Sequence, residues 1–194
     1  MSGRDAPQKL MRQCERKLVI LDRDGVINVD SDNYIKSPDE WIPIPGSLEA
    51  IAQLTQANYK MVVATNQSGV NRGLYSLQTL NAIHQKMLTA IEATGGKIEK
   101  IYFCPHRPDE HCHCRKPKPG MLQQIQHDFQ VKNDQMLFVG DSLKDWEAAN
   151  TVGCEFFLVR TSNGKETEFA LKKLSSVKIF DDLLSFVKYI IDEQ

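Results

Sequence analysis

The 194-residue sequence has no apolar run approaching the roughly 20 residues that a membrane-spanning helix needs. It has no excess of either charge. Against 24 Lys+Arg stand 25 Asp+Glu, a formal net charge of −1, which argues against a protein whose main task is to hold nucleic acid phosphates. The opening segment MSGRDAPQKLMRQCERK is charged and lacks an apolar core, so it does not read as a secretory signal. A cytoplasmic protein without a membrane or nucleic acid partner is the expectation. Internal repeats, low-complexity stretches and long linkers are also missing. What is there is ordinary globular composition, 41% hydrophobic and 25% charged. It suits a polar tail over 1–16 and one domain over 17–194, large enough to bury its own core and compatible with a monomer.

Cysteine is scarce and unevenly placed. Of five, Cys104, Cys112 and Cys114 fall close together with His106 among them, while Cys14 and Cys154 stand apart. An odd, clustered set in a chain without a secretory signal points to metal binding rather than disulfides. Three thiolates and one imidazole would make a closed tetrahedral Zn²⁺ set, structural rather than catalytic. His106, His111 and His113 are rival fourth ligands. Cys154 reads as a strand-edge core residue and Cys14 as a tail thiol.

Periodicity predicts alternating strands and helices. Strands are expected at 17–21, 59–64, 98–103, 135–139 and 155–159, with a weaker one at 177–180. Helices are expected after Pro45-Gly46, from the N-cap Ser76 to Gly95, from Pro119 to about 129, over 143–152, near 166–174 and over 182–191. This pattern implies right-handed βαβ units and a Rossmann-like parallel sheet with helices on both faces. Ligands bind such sheets outside the carboxyl ends of the strands. Four of the expected strands end in unusual chemistry, namely Asp22/Asp24, Thr65/Asn66, the Cys/His loop, and Asp141. All four should gather at one edge.

Carboxylates converging there repel one another unless something positive sits among them. A hard cation such as Mg²⁺ takes one or two carboxylates, waters and phosphate oxygens. Lys116 would add a second positive charge, and together they suit a phosphoryl group.

Asp22-x-Asp24-Gly-Val-Ile, Thr65-Asn66-Gln67, Lys116 and Gly140-Asp141-Ser-Leu-Lys-Asp145 resemble, in order, the four motifs of the haloacid-dehalogenase-like phosphatases. Within that superfamily the runs DRDGVIN, TNQSGVNRG, CPH and CRKPKPGM resemble the bacterial phosphatases of heptose bisphosphates. The resemblance spans residues 17–162. It implies Asp22 as a nucleophile that forms an aspartyl-phosphate, and Asp24 as the acid and then the base. Thr65 and Lys116 would bind the phosphoryl oxygens. Asp22, the backbone carbonyl of Asp24, and Asp141 would hold Mg²⁺. It also favours Cys104, His106, Cys112 and Cys114 as the zinc set, whose loop ends in Arg115-Lys116 and would aim these cations. Asp145, one helical turn beyond Asp141, stays open between an outer-shell ligand and a solvated helix residue.

The substrate is implied to be a small sugar phosphate. The gaps after the first and third strands are too short for a large cap domain, so only loops would cover the site. Asn28, Asp30, Asn66, Gln67, Ser68 and Arg72 are candidates for sugar hydroxyls, and Arg115 for a second, distal phosphate. Ser142 stands where some relatives carry lysine, with Lys144 nearby, and the Cys/His spacing is also similar to that of histidinol-phosphate phosphatases. Histidinol phosphate, and more remotely a nucleic acid 3′-phosphate, are the alternative substrates. A zinc-stabilised binding module whose acidic loop is merely structural is the alternative from another class.

Overall fold

The computed structural model describes residues 18–172 and 177–192. The expected tail, Cys14, Lys17 of the first strand and the end of the fifth helix at 173–174 lie outside the described residues. Six strands, β1 (Leu18–Leu21), β2 (Lys60–Asn66), β3 (Lys100–Cys104), β4 (Met136–Gly140), β5 (Glu155–Val159) and β6 (Lys178–Phe180), form one parallel sheet in the order β3-β2-β1-β4-β5-β6. Helices α1 (Ser47–Gln56), α2 (Leu77–Ala93), α3 (Gly120–Phe129), α4 (Leu143–Val152), α5 (Gly164–Leu171) and α6 (Leu183–Asp192) cover it.

The sheet is buried on both faces, so its central strands read as continuous apolar runs. All four residues of β1 are buried. Alternate residues feed two separate cores. Val19, Leu21, Met61, Val63, Leu137 and Val139 pack with Ile51, Leu54, Ile83, Met87, Phe186 and Ile190 of α1, α2 and α6. Leu18, Ile20, Val62, Ala64, Phe138 and Leu158 pack with Met121, Leu122, Ile125, Ala148 and Leu171 of α3, α4 and α5. Helix α2 begins where the hydroxyl of Ser76 accepts the amide of Thr79 at 3.0 Å, a cap worth about 1 kcal/mol. Its buried Leu80, Ile83, Met87 and Ile91 keep the helical period.

Strand β3 starts later than periodicity suggests and ends on Cys104 itself. The amide of Glu99 joins the sheet by donating to the carbonyl of Met61 at 2.8 Å, and Cys104 sits in register with Asn66. The chain runs β1 to β3 outward on one side, then returns to β4 beside β1. That reversal opens a crevice at the carboxyl ends of β1, β2 and β4. Among the described residues only loops cover it. The segment between β1 and α1 contains a short 3₁₀ turn at Pro38–Glu40 and one antiparallel bridge, Asn28 to Pro43. Among the described residues no helix is long and apolar enough to cross a membrane.

Candidate active site

Sheet register delivers the carboxylates. Leu21 pairs with Val139, and the amide of Asp22 donates to the carbonyl of Val139 at 3.0 Å. Asp22 and Asp141 therefore leave neighbouring strands at one level. One carboxylate oxygen from each of Asp22, Asp141 and Asp145 lies within 4.8 Å of the others. Lys116 reaches into this cluster from the Cys/His loop. Its Nζ stands 2.8 Å from Asp22 Oδ2 and 2.6 Å from Asp145 Oδ1, and donates to the carbonyl of Ala64 at 2.8 Å.

Asp145 is fully buried, which removes the reading of it as a solvated helix residue. Its other oxygen accepts the amide and hydroxyl of Ser142 at 3.1 and 2.6 Å, so it caps α4 while it fixes Lys116.

Three buried carboxylates face one ammonium here. Burial, and then the charge of Asp145, push Asp141 up to about 7. Burial and the same neighbour hold Asp22 well above the usual carboxylate range, against the pull of Lys116. Burial would lower Lys116, but the charges of Asp145 and Asp22 outweigh it and keep the ammonium protonated. Hard oxygen donors with charge still to be neutralised fit a hard divalent cation. The loop after β1 is shaped to this cluster. Gly25 has φ +82°, and a Cβ there would stand 2.4 Å from Asp141 Oδ2.

Asp24 turns away from the cluster. Arg23 Nη2 grips its two oxygens at 2.8 and 2.9 Å, Asn28 Nδ2 donates at 2.9 Å and Gln67 Nε2 at 2.7 Å. Burial pulls its proton affinity upward. The charge of Arg23, with the hydrogen bonds from Asn28, Arg23 and Gln67, outweighs that pull and leaves Asp24 below the usual range.

Asp22, Asp24, Asp30, Thr65, Asn66, Gln67, Ser68, Arg115, Lys116, Asp141 and Lys144 all line one open pocket of about 250 Å³. Of the residues proposed for sugar contacts, Asn28 and Arg72 lie outside this lining, while Asn66 and Gln67 line it with their amides engaged by the protein. Asn28 is fully buried, its amide spent on Asp24, Val29 and the indole of Trp41. Gln67 is committed to Asp24, Thr65 and Tyr75. Asn66 clamps the main chain of Lys116 in both directions, at 3.0 and 3.1 Å. Arg72 is exposed and outside the pocket lining, because the chain turns outward after Ser68. Ser68, Asp30 and Arg115 keep pocket positions; the guanidinium of Arg115 also donates to the carbonyl of His106 at 3.1 Å.

Sequence reasoning passed over Asn163. Its backbone and side-chain nitrogens both donate to Asp141 Oδ2, at 3.1 and 3.0 Å. The signal was present, since Thr161-Ser162-Asn163-Gly164 is a fifth polar strand end. Tyr34, with φ +64°, also borders the pocket unannounced.

Beside the pocket, Cys104, His106, Cys112 and Cys114 bring their ligand atoms together. The sulfur separations are 3.2 to 3.6 Å, and His106 Nδ1 lies 3.3 and 3.5 Å from two of them. These approach the ~3.8 Å edges of a tetrahedron with 2.3 Å metal–sulfur bonds. His111 and His113 are exposed and outside the cluster. Cys154 is buried in the second core, as a strand-edge residue should be.

A doubly wound sheet with a buried aspartate at the head of its first strand, a lysine upon it and a second aspartate beside it defines a haloacid-dehalogenase-like hydrolase. A family model described as HAD-hydrolase-like matches residues 113–186. The "D-glycero-beta-D-manno-heptose-1,7-bisphosphate 7-phosphatase" of Bordetella bronchiseptica is 49% identical over 91% of this chain and 99% of its own length, and that of Pseudomonas putida 51% over 90% and 99%. A crystal structure of the D,D-heptose 1,7-bisphosphate phosphatase from B. bronchiseptica, complexed with magnesium and phosphate, superimposes with a TM-score of 0.88 at 50% identity, covering 92% of this chain and 99% of that one. The chain belongs to this family of heptose-bisphosphate phosphatases.

Proposed function

We propose that the chain hydrolyses the 7-phosphate of D-glycero-D-manno-heptose 1,7-bisphosphate through a phosphorylated Asp22. The observation that carries this is the Asp22–Lys116 pair, 2.8 Å apart at the head of β1, in a chain half identical to such enzymes along nearly its whole length. The Asp22 carboxylate attacks phosphorus as the bond to the sugar oxygen breaks. Asp24 gives that oxygen its proton. The incoming phosphoryl charge raises the proton affinity of Asp24, offsetting the cradle that otherwise keeps it ionised. Asp24 then takes a proton from the water that attacks phosphorus, and Asp22 is released. Lys116 and Thr65 hold the phosphoryl oxygens throughout.

Mg²⁺ would be held by Asp22, the carbonyl of Asp24, and Asp141, with Asp145 and Asn163 behind them. When bound, it neutralises the carboxylates and the charge that gathers on phosphorus. Zn²⁺ is proposed for the Cys104, His106, Cys112 and Cys114 cluster, where it would fix the loop that carries Arg115 and Lys116. Arg115, Ser68 and Asp30 border the space for the rest of the sugar bisphosphate. The product would supply activated heptose for lipopolysaccharide core or other surface glycans, in the cytoplasm.

The test is steady-state phosphate release with Mg²⁺, comparing both anomers of the heptose bisphosphate with histidinol phosphate. A kcat/KM larger by orders of magnitude for the bisphosphate supports the reading. Preference for histidinol phosphate would move the substrate and leave the chemistry.

A further inference from the structure

At the pocket wall, Gln67 links a residue outside the reaction, Tyr75, to two residues inside it, Asp24 and Thr65. Tyr75 is buried, and its ring lies against Gly69, where a Cβ would stand 2.3 Å from Tyr75 Cε1. Only glycine at 69 admits the ring. The phenol so placed donates to Gln67 Oε1 at 2.8 Å. The Asp24 carboxylate only accepts, so the amide must turn its nitrogen to Asp24, and the Tyr75 hydroxyl, which can donate, takes up the amide oxygen on the other side. Gln67 Nε2 therefore points at two acceptors at once, Asp24 Oδ2 at 2.7 Å and Thr65 Oγ1 at 2.9 Å. Both amide hydrogens are spent. Because Thr65 Oγ1 accepts one of them, its own hydrogen remains to be donated into the pocket, where phosphoryl oxygens only accept.

We infer that Gln67, its amide held between Asp24 and the Tyr75 hydroxyl that Gly69 admits, is a positioning residue for this reaction: one amide sets both the carboxyl of Asp24 and the donor direction of the Thr65 hydroxyl. The inference rests on the roles proposed above for Asp24 and Thr65. It gives Gln67, which lines the pocket, a task other than contact with sugar hydroxyls. It also explains why Gly69 and Tyr75 accompany the Thr65-Asn66-Gln67 run. Losing the amide leaves Asp24 with Arg23 and Asn28 alone, and leaves the Thr65 hydroxyl free to rotate. Proton delivery to the sugar oxygen and proton removal from water would both suffer, since Asp24 does both. Attack by Asp22 on a substrate whose leaving group departs without a proton would feel the loss only through Thr65, with Lys116 still on the phosphoryl group, and so less than the two proton transfers.

The experiment compares wild type, Gln67→Leu and Tyr75→Phe on heptose 1,7-bisphosphate and on p-nitrophenyl phosphate, with Mg²⁺, by rapid mixing and steady state. For Gln67→Leu on the sugar, kcat should fall roughly a hundredfold, the size of a general acid–base contribution, while KM moves by less than about threefold. On p-nitrophenyl phosphate the variant should release a burst of one nitrophenolate per active site, then turn over slowly as phosphorylated Asp22 waits for water. Tyr75→Phe, which removes a single oxygen, should show the same pattern more weakly; it carries the test if Gln67→Leu does not fold. A raised KM for the sugar with unchanged kcat would mean that Gln67 touches substrate, and would overturn the inference. So would loss of the burst together with steady turnover, which marks a merely structural role, and so would wild-type rates in both variants. If wild type ignores the bisphosphate, the substrate reading fails, and the p-nitrophenyl phosphate arm still decides the role of Gln67.

Discussion

The carboxylate centre and the Cys/His loop stand side by side at one sheet edge and are held in place by opposite means. Asp22 and Asp141 are the first residues after paired strands, locked by the register Leu21 to Val139 and both buried. Of the four Cys/His ligands only Cys104 lies on a strand, and the other three sit half-exposed on a loop whose regular structure is one 3₁₀ turn, Pro108–Glu110. The sheet therefore holds the first group at close range against its own repulsion. In the second the relation would be reversed under the proposed zinc, with the four side chains bringing the loop to order. The two are joined by Lys116, which belongs to the loop by sequence and to the carboxylates by contact, and which Asn66 ties to the end of β2. On the proposed reading, chemistry is built on the rigid part, and the loop that would take a metal aims a cation at it.

The sharpest way to break this comparison is Asp22→Asn. It should remove turnover, by at least about 10⁴-fold as expected for loss of a nucleophile, and leave the fold intact by circular dichroism, since a repelling charge has gone. Next comes Lys116→Met. It leaves Asp22 and Asp145 buried without their partner and should cost about 3–5 kcal/mol in denaturant unfolding, along with nearly all activity. Cys104→Ser, or prolonged chelation, should act in the other order. Stability should fall by about 3 kcal/mol, roughly 6–12 °C in Tm for a chain of this size. Activity should fall because Arg115 and Lys116 lose their aim. Retained Tm with lost activity would make the loop catalytic and undo the distinction.

A smaller effect sharpens the contrast from the carboxylate side. Asp141 is raised in the folded chain to about 7, from a usual value of 3.8. A raised group contributes stability that is complete below about pH 4 and is lost as pH climbs through about 7. Metal-free protein should therefore melt lower at pH 8 than at pH 5, and Mg²⁺ should raise Tm more at pH 8. Equal shifts at both pH values would contradict the electrostatic account. At the bottom of the scale, Arg72→Ala should change kcat/KM by less than about twofold, as exposed substitutions do.

The parts of the fold that could be read early were those that local pattern dictates. A strand buried on both faces must be apolar throughout, so Leu18–Leu21 and Met136–Gly140 announce themselves. Strand ends then locate Asp22, Thr65, Cys104 and Asp141 without any knowledge of packing. Hydrogen-bond direction was beyond reach. Asn28 looked like a polar loop residue because nothing local reveals that Trp41, thirteen positions away, covers it and donates to its amide. Gln67 and Arg72 share a motif and face opposite ways, since the turn after Ser68 is set by where Tyr75 packs. Asn163 is hard to see for a different reason: β5 ends in hydroxyl and amide residues, Thr161-Ser162-Asn163, which carry no charge and match no motif.

The claim at the centre is that Asp22, not water, first attacks phosphorus. Asp24→Asn removes the group that activates water, so an intermediate should accumulate on an aryl phosphate whose leaving group needs no acid. The measurement is intact-protein mass after an acid quench in the first turnover, followed by mapping of the peptide that contains Asp22. The account predicts one added phosphoryl group per chain, on Asp22, at a level that rises as turnover slows. Phosphate released in the first turnover with no covalent adduct at any quench time would contradict it.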